Sequence, residues 1–140
     1  MLRIKGAILF AMMLSAQAQG APKAPKPFDS AYTMARFALA GKKSTLGSFF
    51  SLKVDCSPMD WNEVKIVKPP KNGEAKLVDG TTFPGYTAPN PRTKCNEKSV
   101  NASMLEYTPA QGYAGPDSIQ LESIDSGGSR ARYTINITVK

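Results

Sequence analysis

Three carboxylates fall close together in the last quarter of the chain: Asp117, Glu122 and Asp125. A pair of acids can serve a glycosidase as acid and nucleophile, and several oxygens together can hold calcium. The surrounding residues complete neither chemistry. Glu122 and Asp125 fall in a strand and the turn after it, and nothing nearby adds the dense oxygen set that calcium takes, so all three read as solvated turn carboxylates. The chain has no histidine, which removes the commonest general base and zinc ligand. Serines are plentiful, but none sits in a G-x-S-x-G or S-x-x-K setting. The expectation is a protein that is not an enzyme and uses neither metal nor cofactor.

Cys56 and Cys95 are the only cysteines, and the compartment decides what they do. At the N-terminus Arg3 and Lys5 precede an uncharged apolar run over residues 6–14, followed by Ala16-Gln17-Ala18. This order of charge, apolar run and small residues is that of a secretory signal peptide, residues 1–18, cut after Ala18. The run is too short for a permanent span, so no membrane-spanning segment is expected after removal. A periplasmic or secreted chain meets oxidising conditions, where an even cysteine count means pairing. A Cys56–Cys95 disulfide would close a loop worth roughly 4 kcal/mol on the chain-entropy model.

Pro22, Pro25 and Pro27, with Lys23 and Lys26, make residues 19–30 an extended Pro/Lys-rich linker. Residues 28–40 read either as a short helix capped by Asp29 or Ser30 or as a first strand, with the strand preferred because everything downstream is β. Alternation then recurs at Phe50, Leu52 and Val54, at Val64 and Ile66, at Ala75 and Leu77, and at Ile119 and Leu121. It is clearest in the closing run, where Tyr133, Ile135, Ile137 and Val139 alternate with Thr134, Asn136 and Thr138. Turn residues separate the runs at 69–73, Asp79-Gly80, Pro84-Gly85, 89–91 and 126–128. About seven short strands over residues 31–140 predict an all-β, antiparallel two-sheet sandwich with one disulfide. Residues 81–99 read as an irregular insertion, pinned near Cys56 by Cys95.

Between the last strands lies YTPAQGYAGPDS. Tyr107 ends a strand, Pro109 stops further pairing, and Gly112 and Gly115 supply backbone angles that other residues resist. Asp117 can accept backbone N–H bonds and start the next strand. Tyr113 would fold back on the core and need a partner for its hydroxyl, as in a tyrosine corner. The segment is expected to carry the chain from one sheet to the other. The pattern Y-x-P-x-x-G-[YF]-x-G-x-D-S, followed by D-x-G-G and an alternating strand, resembles the last half of cadherin-like or immunoglobulin-like repeats of bacterial surface proteins. Pro70-Lys71-Asn72-Gly73 matches their P-x-x-G before a strand, and the resemblance spans roughly residues 45–140. It implies an immunoglobulin-like sandwich in an extracytoplasmic setting, and it implies no activity. Those repeats occur in tandem and this chain has one copy, so multivalent adhesion does not carry over.

Of 18 basic residues, Arg3 and Lys5 lie in the signal, leaving 16 against 11 acids. Export puts nucleic acid out of reach, so a basic surface would meet an envelope polysaccharide, lipid headgroups or an acidic protein, unless the lysines simply keep strand edges soluble. Trp61 is expected to pack on the disulfide rather than mark a surface. Two N-x-[ST] sequons, at Asn101 and Asn136, read as chance. The expected function is a noncatalytic binding or structural module of the cell envelope, with polysaccharide or protein as partner. The alternative is an inhibitor of an exported protease or lysozyme that uses residues 81–99 as a rigid probe.

Overall fold

The computed structural model describes residues 28–59, 61–125 and 127–140, without the side chains of Trp61 and Asn62. The expected signal peptide, residues 19–27 of the linker and the Trp61 side chain lie outside the described residues. The described residues are all-β, with strands β1 (Ser30–Ala38), β2 (Ser44–Phe49), β3 (Trp61–Lys68), β4 (Gly73–Thr82), β5 (Val100–Pro109), β6 (Gly115–Asp125) and β7 (Arg130–Val139), and one 3-10 turn at Thr93–Glu97. Four strands form one sheet in the order β1-β7-β6-β3, and three form the other in the order β2-β5-β4. All pairings are antiparallel except β1 with β7, which run parallel.

The core follows from alternation. Ile135, Ile137 and Val139 of β7 and Ile119 and Leu121 of β6 turn inward against Leu46 and Phe49 of β2 and Leu105 and Tyr107 of β5. Ile119, Leu121, Ile135 and Leu105 are wholly buried, and each contributes about 1.5–3 kcal/mol by leaving water. The intervening Thr134, Asn136 and Thr138 are left on the outer face, as expected for a half-covered sheet.

The structure corrects two sequence readings. Residues 50–54 form no strand beyond one bridge, Leu52 to Pro58, and the strand lies earlier, at Ser44–Phe49. Phe49 reaches the core, whereas Phe50 sets its ring edge-on against Tyr86 of the insertion, with centroids 6.2 Å apart. Asp79-Gly80 is no turn, because β4 runs through it to Thr82. A Cβ on Gly80 would stand 2.7 Å from Met104 Cγ, so this glycine makes room for a neighbouring strand. At the first described residues, β1 is joined to β7 by reciprocal bonds. Asp29 N–H donates to Arg130 O at 2.9 Å, Arg130 N–H donates back to Asp29 Oδ2 at 2.8 Å, and Ser30 already belongs to β1.

Candidate functional site

The sandwich has two ends, and the corner motif closes one of them. β5 belongs to the three-stranded sheet and β6 to the four-stranded one, so residues 110–114 cross between sheets. Gly112 and Gly115 hold φ of 73° and 133° there, angles that a Cβ disfavours. Pro109 is the last residue of β5 and lies opposite Gly73. Tyr113 packs partly on the core and donates its hydroxyl to Pro116 O.

The buried tyrosine of the corner is Tyr107, not Tyr113. Its ring is wholly buried and its hydroxyl donates to Asp117 Oδ2 at 2.9 Å. Asp117 also accepts the N–H groups of Lys71 and Asn72 at 2.9 Å and of Ser118 at 2.8 Å. Asn72 O in turn accepts Ala110 N–H at 2.8 Å. One carboxylate thus ties the β3–β4 turn to the sheet crossing. Gly73 has to be glycine here, since a Cβ would lie 2.5 Å from Thr108 O and 2.7 Å from the Tyr107 ring. Burial pulls the Asp117 carboxyl upward, but its backbone donors and Tyr107 outweigh burial and hold it below 3.8. Burial, then the bond to Asp117 and its charge, push the Tyr107 hydroxyl well above 10.0. The whole arrangement is a clamp, with its donors and acceptors used up inside the protein.

The other two carboxylates of the opening trio are held elsewhere. Glu122 pairs with Arg132 at 2.7 Å and Arg130 at 3.5 Å on the outer face. Asp125 Oδ1 accepts Gly127 N–H and Ser129 N–H, both at 2.9 Å, and so shapes the β6–β7 hairpin. No group of three or more potential metal ligands occurs among the described residues. No helix among them is long and apolar enough to cross a membrane.

The opposite end carries the long loops. The Cys56–Cys95 disulfide joins residues 50–59 to the insertion, with Cα atoms 5.4 Å apart. Arg92 Nε donates to Leu52 O at 2.6 Å, and Asn96 pairs with both backbone groups of Tyr86, accepting at 3.0 Å and donating at 2.8 Å. Leu52 and Cys95 are buried there, outside the main core cluster. The insertion is therefore strapped to the neighbouring loop by covalent, polar and aromatic contacts.

Beside it opens a cleft of about 600 Å3, lined by Phe49, Asp79, Thr81, Asn101 and Ser103 together with the backbone of Gly80 and Ala102. Its origin is visible in the register. Phe49 lies opposite Ser103, Ser103 opposite Asp79, and Asn101 opposite Thr81. Side chains two apart on a strand share a face, so the inward row Tyr107-Leu105-Ser103-Asn101 of β5 changes from apolar to polar as it leaves the core. Its neighbour Ala75-Leu77-Asp79-Thr81 on β4 changes at the same level. Among the described residues, none of these four polar side chains has an internal hydrogen bond or ion pair. A carboxylate, a carboxamide and two hydroxyls thus converge beside the Phe49 ring.

The corner motif marks the end whose carboxylate and tyrosine hydroxyl are engaged by the fold itself. The polar cleft was missed, although Asp79-x-Thr81 and Asn101-x-Ser103 each show the spacing of a shared strand face. Local pattern alone makes Asp79 part of a turn and Asn101 part of a chance sequon. Comparison of the chain with family models, with curated proteins and with solved structures finds no match, so the cleft's own geometry carries the functional argument.

Proposed function

We propose that the protein is an exported, noncatalytic module of immunoglobulin-like fold that binds a neutral or amine-bearing saccharide of the cell envelope in the loop-end cleft. The strand order supports the fold assignment. β2-β5-β4 and β3-β6-β7 correspond to the B-E-D and C-F-G sets of an immunoglobulin sandwich, with the first strand laid beside the last. The signal-like N-terminus and the disulfide support export.

The polar row carries the ligand assignment. Its size falls within the usual range for small-molecule sites. Asp79, Thr81, Asn101 and Ser103 offer both donors and acceptors at close spacing, which suits neighbouring hydroxyls on a sugar ring. Phe49, only 8% exposed, gives the cleft an apolar floor. The lining holds one carboxylate and no cation, so an anionic polymer is disfavoured at this site.

Calorimetric titration with a panel of neutral, amino and anionic oligosaccharides tests the assignment. Binding to a neutral or amino sugar is expected, little changed by salt and weakened about tenfold or more by Asn101→Ala or Asp79→Asn. Binding confined to anionic sugars and lost steeply with salt would refute it. One observation favours the inhibitor reading: Phe83, at the base of the strapped insertion, is 64% exposed. That reading requires a stoichiometric complex with one exported protease or lysozyme, abolished by Phe83→Ala.

A further inference from the structure

Among the described residues, four strands present a free edge, and three of those edges are guarded. β2 is six residues long and its register breaks between Thr45 and Gly47. β3 carries Glu63, Lys65 and Lys68 and two register breaks. β4 carries Glu74, Lys76 and Asp79. Charge, brevity and irregularity are the devices that keep sheet edges from pairing with other chains.

β1 has almost none of them. It pairs with β7 residue for residue over all nine positions without a break. Its sequence SAYTMARFA holds one charge, Arg36, whose guanidinium turns back to the protein: Nε to Leu46 O at 2.7 Å and Nη1 to Ala35 O at 2.9 Å. Tyr32 is 50% and Phe37 68% exposed. The direction of its free backbone groups follows from two bonds. Lys140 N–H donates to Ala38 O at 3.0 Å, and Ala40 N–H donates to Lys140 O at 2.8 Å. Even-numbered residues therefore turn their amides toward β7, and those of Ala31, Thr33, Ala35 and Phe37 face away from it.

We propose that this edge pairs with the same edge of a second copy, antiparallel and centred on Met34. In that register Thr33 and Ala35 of the two copies exchange outward N–H and C=O groups, and so do Ala31 and Phe37. A small side chain then faces a large one at each outer pair. Tyr32 of one copy meets Arg36 of the other, so the strand's only cation faces an aromatic ring rather than its own duplicate. Ala35 O keeps a second lone pair beside Arg36 Nη1 and can accept the incoming bond. The two four-stranded sheets become one continuous sheet, and the one regular, unguarded edge among the described residues is covered.

The outward parity gives a selective test. Thr33→Pro deletes an N–H that faces away from β7, so it leaves the β1–β7 ladder intact while removing intermolecular bonds. Ala35→Lys installs on β1 the guard that β3 carries. In sedimentation equilibrium over a wide concentration range the wild-type chain is expected to dimerise, and each variant to weaken dimerisation about tenfold or more, with a melting curve unchanged at concentrations where the wild type is monomeric. Amide exchange at residues 31, 33, 35 and 37 should slow as concentration rises, while the even-numbered amides stay protected throughout. A wild-type protein that stays monomeric at every concentration overturns the proposal, as does a dimer indifferent to both variants.

Discussion

The two ends of the sandwich are closed by opposite means. At the corner end, short connections converge on one carboxylate, and Asp117 takes three backbone N–H groups and the Tyr107 hydroxyl. At the loop end, long connections are held by a disulfide, and the strands beneath them carry polar inward side chains with no internal partners among the described residues. One end spends its polar groups on the fold, and the other leaves them available. Two sites that each hold an Asp, an Asn and a Ser thus differ in role because of where their hydrogen bonds go. A functional reading from residue type alone would favour the corner, which has the longer motif and the strongly shifted groups.

Perturbing each end should give separable effects. The largest is expected from Cys56→Ser with Cys95→Ser, which frees a loop of 39 residues and lowers unfolding stability by about 4 kcal/mol. Chemical denaturation measures it. Next, Asp117→Ala strands four donors, three of them part-buried, and should cost about 3 kcal/mol while leaving saccharide binding unchanged. Tyr107→Phe removes one of those bonds and should cost about 1.5 kcal/mol. The smallest effects on stability belong to Thr81→Ala and Ser103→Ala, within about 0.5 kcal/mol, although each should weaken binding.

Acid and alkali sharpen the same contrast. Asp117 is held below its ordinary 3.8, so its contribution is present above that pH and is lost as falling pH protonates it in the folded state. Tyr107 is raised above 10.0, so its contribution is present below that pH and declines as the solution becomes more alkaline. Both slopes should shrink in the Asp117→Ala variant. Denaturation midpoints measured across pH give the check.

Much of the fold could be read from alternation and turn chemistry. The closing strand and the two corner glycines are local features, and β7, Gly112 and Gly115 stand as the spacing predicts. Tyr113 and Tyr107 could not be ranked that way. The glycines flank Tyr113, but β5 continues to Pro109 and so carries Tyr107 inward beneath Gly73. Gly80 misled because glycine marks turns in isolation, whereas here it yields space to Met104 on the adjacent strand. The cleft was hidden for the same reason. Each half is a polar pair two residues apart, and only the β4–β5 register brings the halves together. That register depends on contacts distant in sequence, which local patterns do not encode.

The most direct test of this division of labour is amide chemical-shift mapping of the wild-type chain during titration with the best-binding neutral or amino oligosaccharide. The account predicts saturable shifts at residues 79–81 and 101–103 with residues 70–73 and 107–118 unmoved. Shifts centred on the corner, or none anywhere at saturating sugar, would contradict it.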